Sequence, residues 1–169
     1  MVNYEMPASC EDKNFCFVKG DKYPDKKIAE LLKDMRSLPV EAHPRLGTNL
    51  SFRSANDPDD NPDCPSNRTY INKPIYYIVD EYDDVRVVIQ SPKLEQIYSV
   101  KWCQFPGRIL TRETPNFLQG SETLLNYNVE CVDTKMHFDF FVLSKYGLKI
   151  EVARAQDGIP VCCRCRYSR

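Results

Sequence analysis

A chain of 169 residues suits one ordinary domain, or a small domain with an attached segment. With 23 Lys+Arg against 24 Asp+Glu it lacks the basic excess of a nucleic-acid binder, and no apolar run reaches bilayer length, so neither nucleic acid nor membrane insertion is expected. Its eight cysteines, Cys10, Cys16, Cys64, Cys103, Cys131, Cys162, Cys163 and Cys165, are an even set clustered at one end, which points to a disulfide framework built in an oxidising compartment. The chain is therefore expected to be secreted and extracellular rather than a cytosolic protein with scattered thiols. Met1-Val2-Asn3-Tyr4-Glu5 lacks the charged-then-apolar pattern of a secretion signal, so such a signal is expected to be missing from this sequence. Two N-glycosylation sequons, at Asn49 and Asn67, agree with secretion.

In chain order, Cys10 and Cys16 lie close enough to bridge each other and pin a short leader to the helix beyond it. From Asp25 to Met35, Ile28, Leu31, Leu32 and Met35 recur at helical spacing and form one apolar face. Pro24 suits the helix start and Pro39 stops its continuation. Residues 1–40 are thus read as a segment with one short amphipathic helix. Residues 41–63 are turn formers and charges with little to bury, including Asn56-Asp57-Pro58-Asp59-Asp60-Asn61-Pro62, and read as an exposed linker open to proteases. Within it, Arg53 in Leu50-Ser51-Phe52-Arg53-Ser54 offers an accessible arginine to a trypsin-like serine protease; there is no dibasic site.

From Cys64 to Arg169 the pattern is β. Tyr76 to Val79, Val85 to Ile89 and Gln96 to Cys103 read as successive strands, the last returning after a turn at Ser91-Pro92. A second pair is predicted from Lys135 to Leu143 and from Leu148 to Ala153, joined by Lys145-Tyr146-Gly147, before a final strand from Ile159 to Arg166. Such ribbons bury little by themselves, so cross-links must hold them.

Residues two apart in a strand share a face, so Cys163 and Cys165 can reach two neighbouring strands while Cys162 points away. A Cys-x-Cys on the last strand, with earlier cysteines on other strands, is what a cystine knot requires. Zinc binding is disfavoured because no paired Cys-x-x-Cys knuckle is present, and the two histidines, His43 and His137, are far apart. Neither histidine makes a convincing base for a catalytic cysteine: His43 falls in the linker and His137 in the middle of a predicted strand. With no phosphate-cradling glycine loop and no nucleophile elbow, an enzyme is not expected, nor is any cofactor or metal.

Several stretches resemble the Spätzle family of Toll-receptor ligands: Val87-Val88-Ile89-Gln90, Trp102-Cys103-Gln104-Phe105-Pro106-Gly107, Tyr127-Asn128-Val129-Glu130-Cys131, and above all Ile159-Pro160-Val161-Cys162-Cys163-Arg164-Cys165. The cysteine pair before Tyr23-Pro24 and the helix resembles the propeptide of the same family. The resemblance implies a mostly β, neurotrophin-like cystine knot of elongated antiparallel hairpins over residues 64–169, preceded by a helical propeptide segment. It implies a pro-cytokine or growth factor cut by a serine protease, which binds the leucine-rich-repeat ectodomain of a Toll-type receptor as a disulfide-linked homodimer and signals in innate immunity or development. Carried over by position, Cys64 would bridge Cys131, Cys103 would bridge Cys163, and Cys162 would link two protomers.

The chain departs from the family between Gln104 and Leu110, where a further cysteine would pair with Cys165. Either Cys162 and Cys165 are satisfied by rearranged or inter-chain bonds, or the knot lacks one bridge. Trp102, Phe105 and Phe117 are receptor-contact candidates because aromatic residues dominate interface hot spots; packing within the dimer or against the propeptide is the alternative. Rival readings are a coagulogen-like clotting protein, a Trunk- or neurotrophin-like ligand of a receptor tyrosine kinase, and a secreted protease inhibitor with Arg53 as bait.

Overall fold

Strands dominate the described residues, and the protein is mostly β. The computed structural model describes residues 4–34, 63–109 and 128–168. These hold a short 3-10 turn at Ala8–Cys10, ten strands and one α-helix. In chain order they are β1 (Phe15–Cys16), α1 (Asp25–Asp34), β2 (Ser66–Pro74), β3 (Tyr77–Val79), β4 (Val85–Val87), β5 (Ile97–Cys103), β6 (Gly107–Arg108), β7 (Asn128–Met136), β8 (Asp139–Leu143), β9 (Ile150–Arg154) and β10 (Ile159–Ser168). No helix among the described residues is long and apolar enough to cross a membrane.

Helix α1 starts where Pro24 supplies its carbonyl to the Ile28 amide at 3.0 Å. Asp25 in its first turn and Lys33 in its last complement the helix dipole. Ile28 is buried completely, and Leu31 and Leu32 pack half-buried against the same core. Met35, expected on this face, lies outside the described residues.

The strands form four sheets, in the orders β1-β3-β4, β10-β7-β6, β2-β5 and β8-β9. The antiparallel register of the first places Phe15 opposite Ile78 and Tyr77 opposite Val87. The β8–β9 hairpin pairs Phe141 with Val152 and Leu143 with Ile150. Three strands, β1, β2 and β6, escaped the sequence reading, which anticipates β7 only at its last two residues, Lys135 and Met136. β2 is rich in Asn, Arg and Lys, and β1 and β6 are only two residues long, so none of the three shows an apolar alternation.

The strand expected from Lys135 to Leu143 is divided into β7 and β8, with His137 and Phe138 between them. The chain changes sheets there: β7 pairs in one sheet and β8 in another. The Phe138 ring packs on Tyr98 at a centroid distance of 5.1 Å, and His137 is exposed rather than mid-strand. The strand expected from Val85 to Ile89 ends at Val87 for a different reason. Beyond it, side chains replace part of the ladder. Gln96, buried, accepts from the Phe141 amide at 2.8 Å and donates to the carbonyls of Ile89 and Phe141 at 2.8 and 2.9 Å. Gln90 donates to the carbonyls of Ile75 and Gln96, both at 2.8 Å, and accepts from the Gln96 amide at 2.9 Å. These two side chains thus supply partners to backbone groups around the end of β4, some of which, such as the Phe141 carbonyl that also accepts from the Ile89 amide at 2.9 Å, have a backbone partner as well.

Residues 4–34, 72–98 and 137–159 belong to one compact unit, and 63–71, 99–109, 128–136 and 160–168 to a second. The core of the first includes Tyr23, Ile28, Tyr77, Phe141 and Leu143. Among the described residues, that of the second includes Val100, and Ile109 and Val129 beside Cys64, Cys103 and Cys131, with Cys163 and Cys165 packed against them. Burying such an Ile or Val yields about 1.5–3 kcal/mol apiece. The Cys64–Cys131 and Cys103–Cys163 bridges close loops of 67 and 60 residues. Loops of that length correspond to about 4 kcal/mol each in the chain-entropy account. Among the described residues, the second unit thus joins its buried side chains to two long-range disulfides, while the first is packed around aromatic and aliphatic side chains.

Candidate functional site: a disulfide cluster and a buried leader

Cys64 stands just before β2 and bonds Cys131 on β7, while Cys103 at the end of β5 bonds Cys163 on β10. Backbone hydrogen bonds fix the cluster. The Cys103 amide donates to Asp133 Oδ1 at 2.6 Å, the Cys163 amide to Ser66 Oγ at 3.2 Å, and the Gln104 amide to the Pro65 carbonyl at 2.9 Å. Gly107 lies opposite Cys131 with φ of +97°, a conformation that requires glycine where β6 enters the sheet.

Alternation along β10 turns Cys163 and Cys165 to one face. There, Cys165 Sγ lies 2.7 Å from Cys64 Sγ. Cys162 is a half-buried thiol on the opposite face. Arg166 shares that face and donates through Nε to Glu130 at 2.8 Å. Of the arrangements left open for the last two cysteines, the structure sets Cys165 against Cys64 and directs Cys162 elsewhere. The sulfurs of Cys64, Cys131 and Cys163 lie within 4.8 Å of one another, but all three are oxidised in disulfides and have no thiolate to give a metal.

The leader is woven into the first unit. Its internal Cys10–Cys16 bridge spans 6 residues, and β1 adds an edge to β3. The Tyr76 amide donates to the Cys16 carbonyl at 2.8 Å and the Val79 amide to the Asn14 carbonyl at 2.9 Å. Asn14 donates in turn to the carbonyls of Gln156 and Gly158, the second at 2.9 Å. Tyr23 is the centre of this docking. Its hydroxyl donates to the Val88 carbonyl at 2.7 Å and accepts from the Gln90 amide at 2.9 Å, and its ring meets Tyr76 and Tyr77 edge-on at 5.3 and 6.0 Å. Burial pushes this phenol well above its ordinary pKa, so it stays protonated and able to donate.

A second feature invisible in the sequence is a buried ion triad. Arg86, 8% exposed in its side chain, donates to Asp80 at 3.0 Å, to Glu151 at 2.8 Å and to the Leu143 carbonyl at 3.3 Å. Asp80 also caps the β3–β4 turn by accepting from the Tyr82 and Asp84 amides at 3.0 and 3.1 Å. Burial alone would raise the Glu151 carboxyl, but hydrogen bonds from Lys149 and Arg86 outweigh it and hold the group below its usual value.

Of the other residues singled out by sequence, Trp102 is half-buried with its ring on Tyr70 at 5.5 Å, and Phe105 is 49% exposed. Asn67 lies half-buried on β2. Arg53, Asn49 and Phe117 lie outside the described residues. No protein-family model matches the chain, and no curated protein matches it significantly.

Proposed function

We propose that the chain is a secreted pro-cytokine, a growth-factor-like ligand of the Spätzle type that acts by binding and carries out no chemistry. In this reading residues 64–169 form the cystine-knot domain and residues 1–40 its propeptide. A serine protease cuts the linker near Arg53, and a homodimer linked through Cys162 binds the leucine-rich-repeat ectodomain of a Toll-type receptor, with an immune or developmental output.

The observation that carries this reading is the cysteine arrangement. Two long-range bridges clamp three separate strands and the segment before β2 around one small cluster of buried side chains. Cys165 rests beside Cys64, where a third knot cysteine would stand, and Cys162 points away as an inter-chain link must. The packing of Tyr23 and Ile28 supports the propeptide role: the leader covers apolar surface that its removal would open.

The test is binding of the secreted protein to a Toll-type ectodomain before and after limited trypsin-like cleavage, with non-reducing mass analysis of the same samples. A covalent dimer that binds only after cutting near Arg53 supports the proposal. A cut product that self-associates without binding would favour a clotting protein, and a stable uncut complex with the protease would favour an inhibitor.

A further inference from the structure

Three tyrosines among the described residues are well exposed: Tyr82 at 73%, Tyr146 at 63% and Tyr167 at 52%. Their surroundings differ in sign. Tyr146 follows Lys145 and Tyr167 follows Arg166, whereas Tyr82 stands between Glu81 and Asp83 in Asp80-Glu81-Tyr82-Asp83-Asp84. The structure sharpens this contrast. Asp80 is buried against Arg86 and takes no part in the surface field. Glu81 and Asp83 are exposed on either side of the ring, and Asp84 is half-exposed and paired with Lys145. The ring itself is open, with Lys145 Nζ 5.8 Å from its centroid.

We propose that Tyr82 is a tyrosine O-sulfation site, with an activated adenylyl sulfate as donor; the proposal rests on passage through the secretory route. The phenol oxygen attacks the donor sulfur, the new oxygen–sulfur bond forms, and the bond from sulfur to the donor phosphate breaks. The phosphate leaves with the electron pair, and the phenol proton passes to a base of the transferase. Nothing is oxidised or reduced. Carboxylates beside the acceptor steer it toward the basic cleft that must hold a polyanionic donor, and the same field turns away tyrosines set among lysines and arginines. The product would put a fixed negative charge at the β3–β4 turn, near Lys145, and would recruit guanidinium-rich partner surfaces.

The folded, disulfide-intact protein is incubated with a purified tyrosylprotein sulfotransferase and its donor, and the label is located by peptide mass spectrometry. Label is expected on Tyr82 and absent from Tyr146 and Tyr167, and Y82F should abolish it. The double variant E81Q/D83N keeps the turn, since Asn tolerates the φ of +62° at position 83. It should lower the rate about tenfold or more, the scale of a lost steering field. No label, equal label on the three tyrosines, or a rate unchanged in the double variant would each overturn the proposal. A second arm examines protein secreted by its source cells, in which sulfate on Tyr82 should disappear when donor synthesis is blocked with chlorate and resist phosphatase. A Tyr82 labelled by the purified enzyme but bare in the natural material would overturn natural sulfation and place the fault in the secretory reading. A phosphatase-sensitive group there would overturn sulfation in favour of phosphorylation.

Discussion

Removing one oxygen atom, in Tyr23→Phe, tests how the leader is held. The hydroxyl makes two hydrogen bonds, to the Val88 carbonyl at 2.7 Å and from the Gln90 amide at 2.9 Å. Tyr23 is 6% exposed and Val88 fully buried, so water cannot readily replace it. Two such bonds are worth about 1 kcal/mol each net, and stranding their buried partners raises the total to about 2–3 kcal/mol. The ring still fills its place against Tyr76 and Tyr77, so no cavity contribution is added. For a chain of this size, calorimetry should show the melting temperature falling by about 4–12 °C. The same substitution weakens leader retention once the linker is cut, by about 30- to 140-fold at 1.4 kcal/mol per decade. Gel filtration of the cleaved protein at falling concentration measures that retention. A melting shift below about 1 °C, or leader retention equal to that of the parent, would show that the hydroxyl bonds do not anchor the leader.

Arg86→Met strands buried Asp80 without its cation and leaves half-buried Glu151 with Lys149 alone; it should cost about 3–5 kcal/mol in urea denaturation, whereas replacing Arg86, Asp80 and Glu151 together by apolar or amide groups of similar size should cost much less. The folded Glu151 carboxyl titrates below its unfolded value, so the unfolded chain binds the extra proton first. Its contribution is therefore present above the unfolded carboxylate pKa and lost as pH falls through the folded one; Glu151→Gln should flatten that acid limb of the stability curve and leave its slope near neutrality unchanged. If the proposed dimer is linked through Cys162, Cys162→Ser should abolish it on non-reducing gels while alkylation and mass analysis still find Cys10–Cys16, Cys64–Cys131 and Cys103–Cys163 intact.

Residue order alone carries the part of the protein written in local patterns. The helical spacing of Ile28, Leu31 and Leu32 marks α1, and the β-branched run around Val87 marks a strand, because period 3.6 and period 2 are properties of neighbouring residues. Cys163 and Cys165 share a face for the same reason. Whatever depends on distant partners is settled only by the folded chain. Only there does a two-residue strand at Phe15 edge β3, Tyr23 span Val88 and Gln90, and Gln96 substitute for a broken ladder. Folding also makes Arg86 the buried centre of a triad rather than a polar residue on a strand's outer face, and withdraws Asp80 from the acidic run around Tyr82. Each of these joins residues far apart in the chain or turns a charge inward, and a polar side chain gives no local sign of whether it faces water or a buried partner. In strands that carry polar residues at core positions, the pattern that signals burial is absent, and only the completed packing reveals which side is inside.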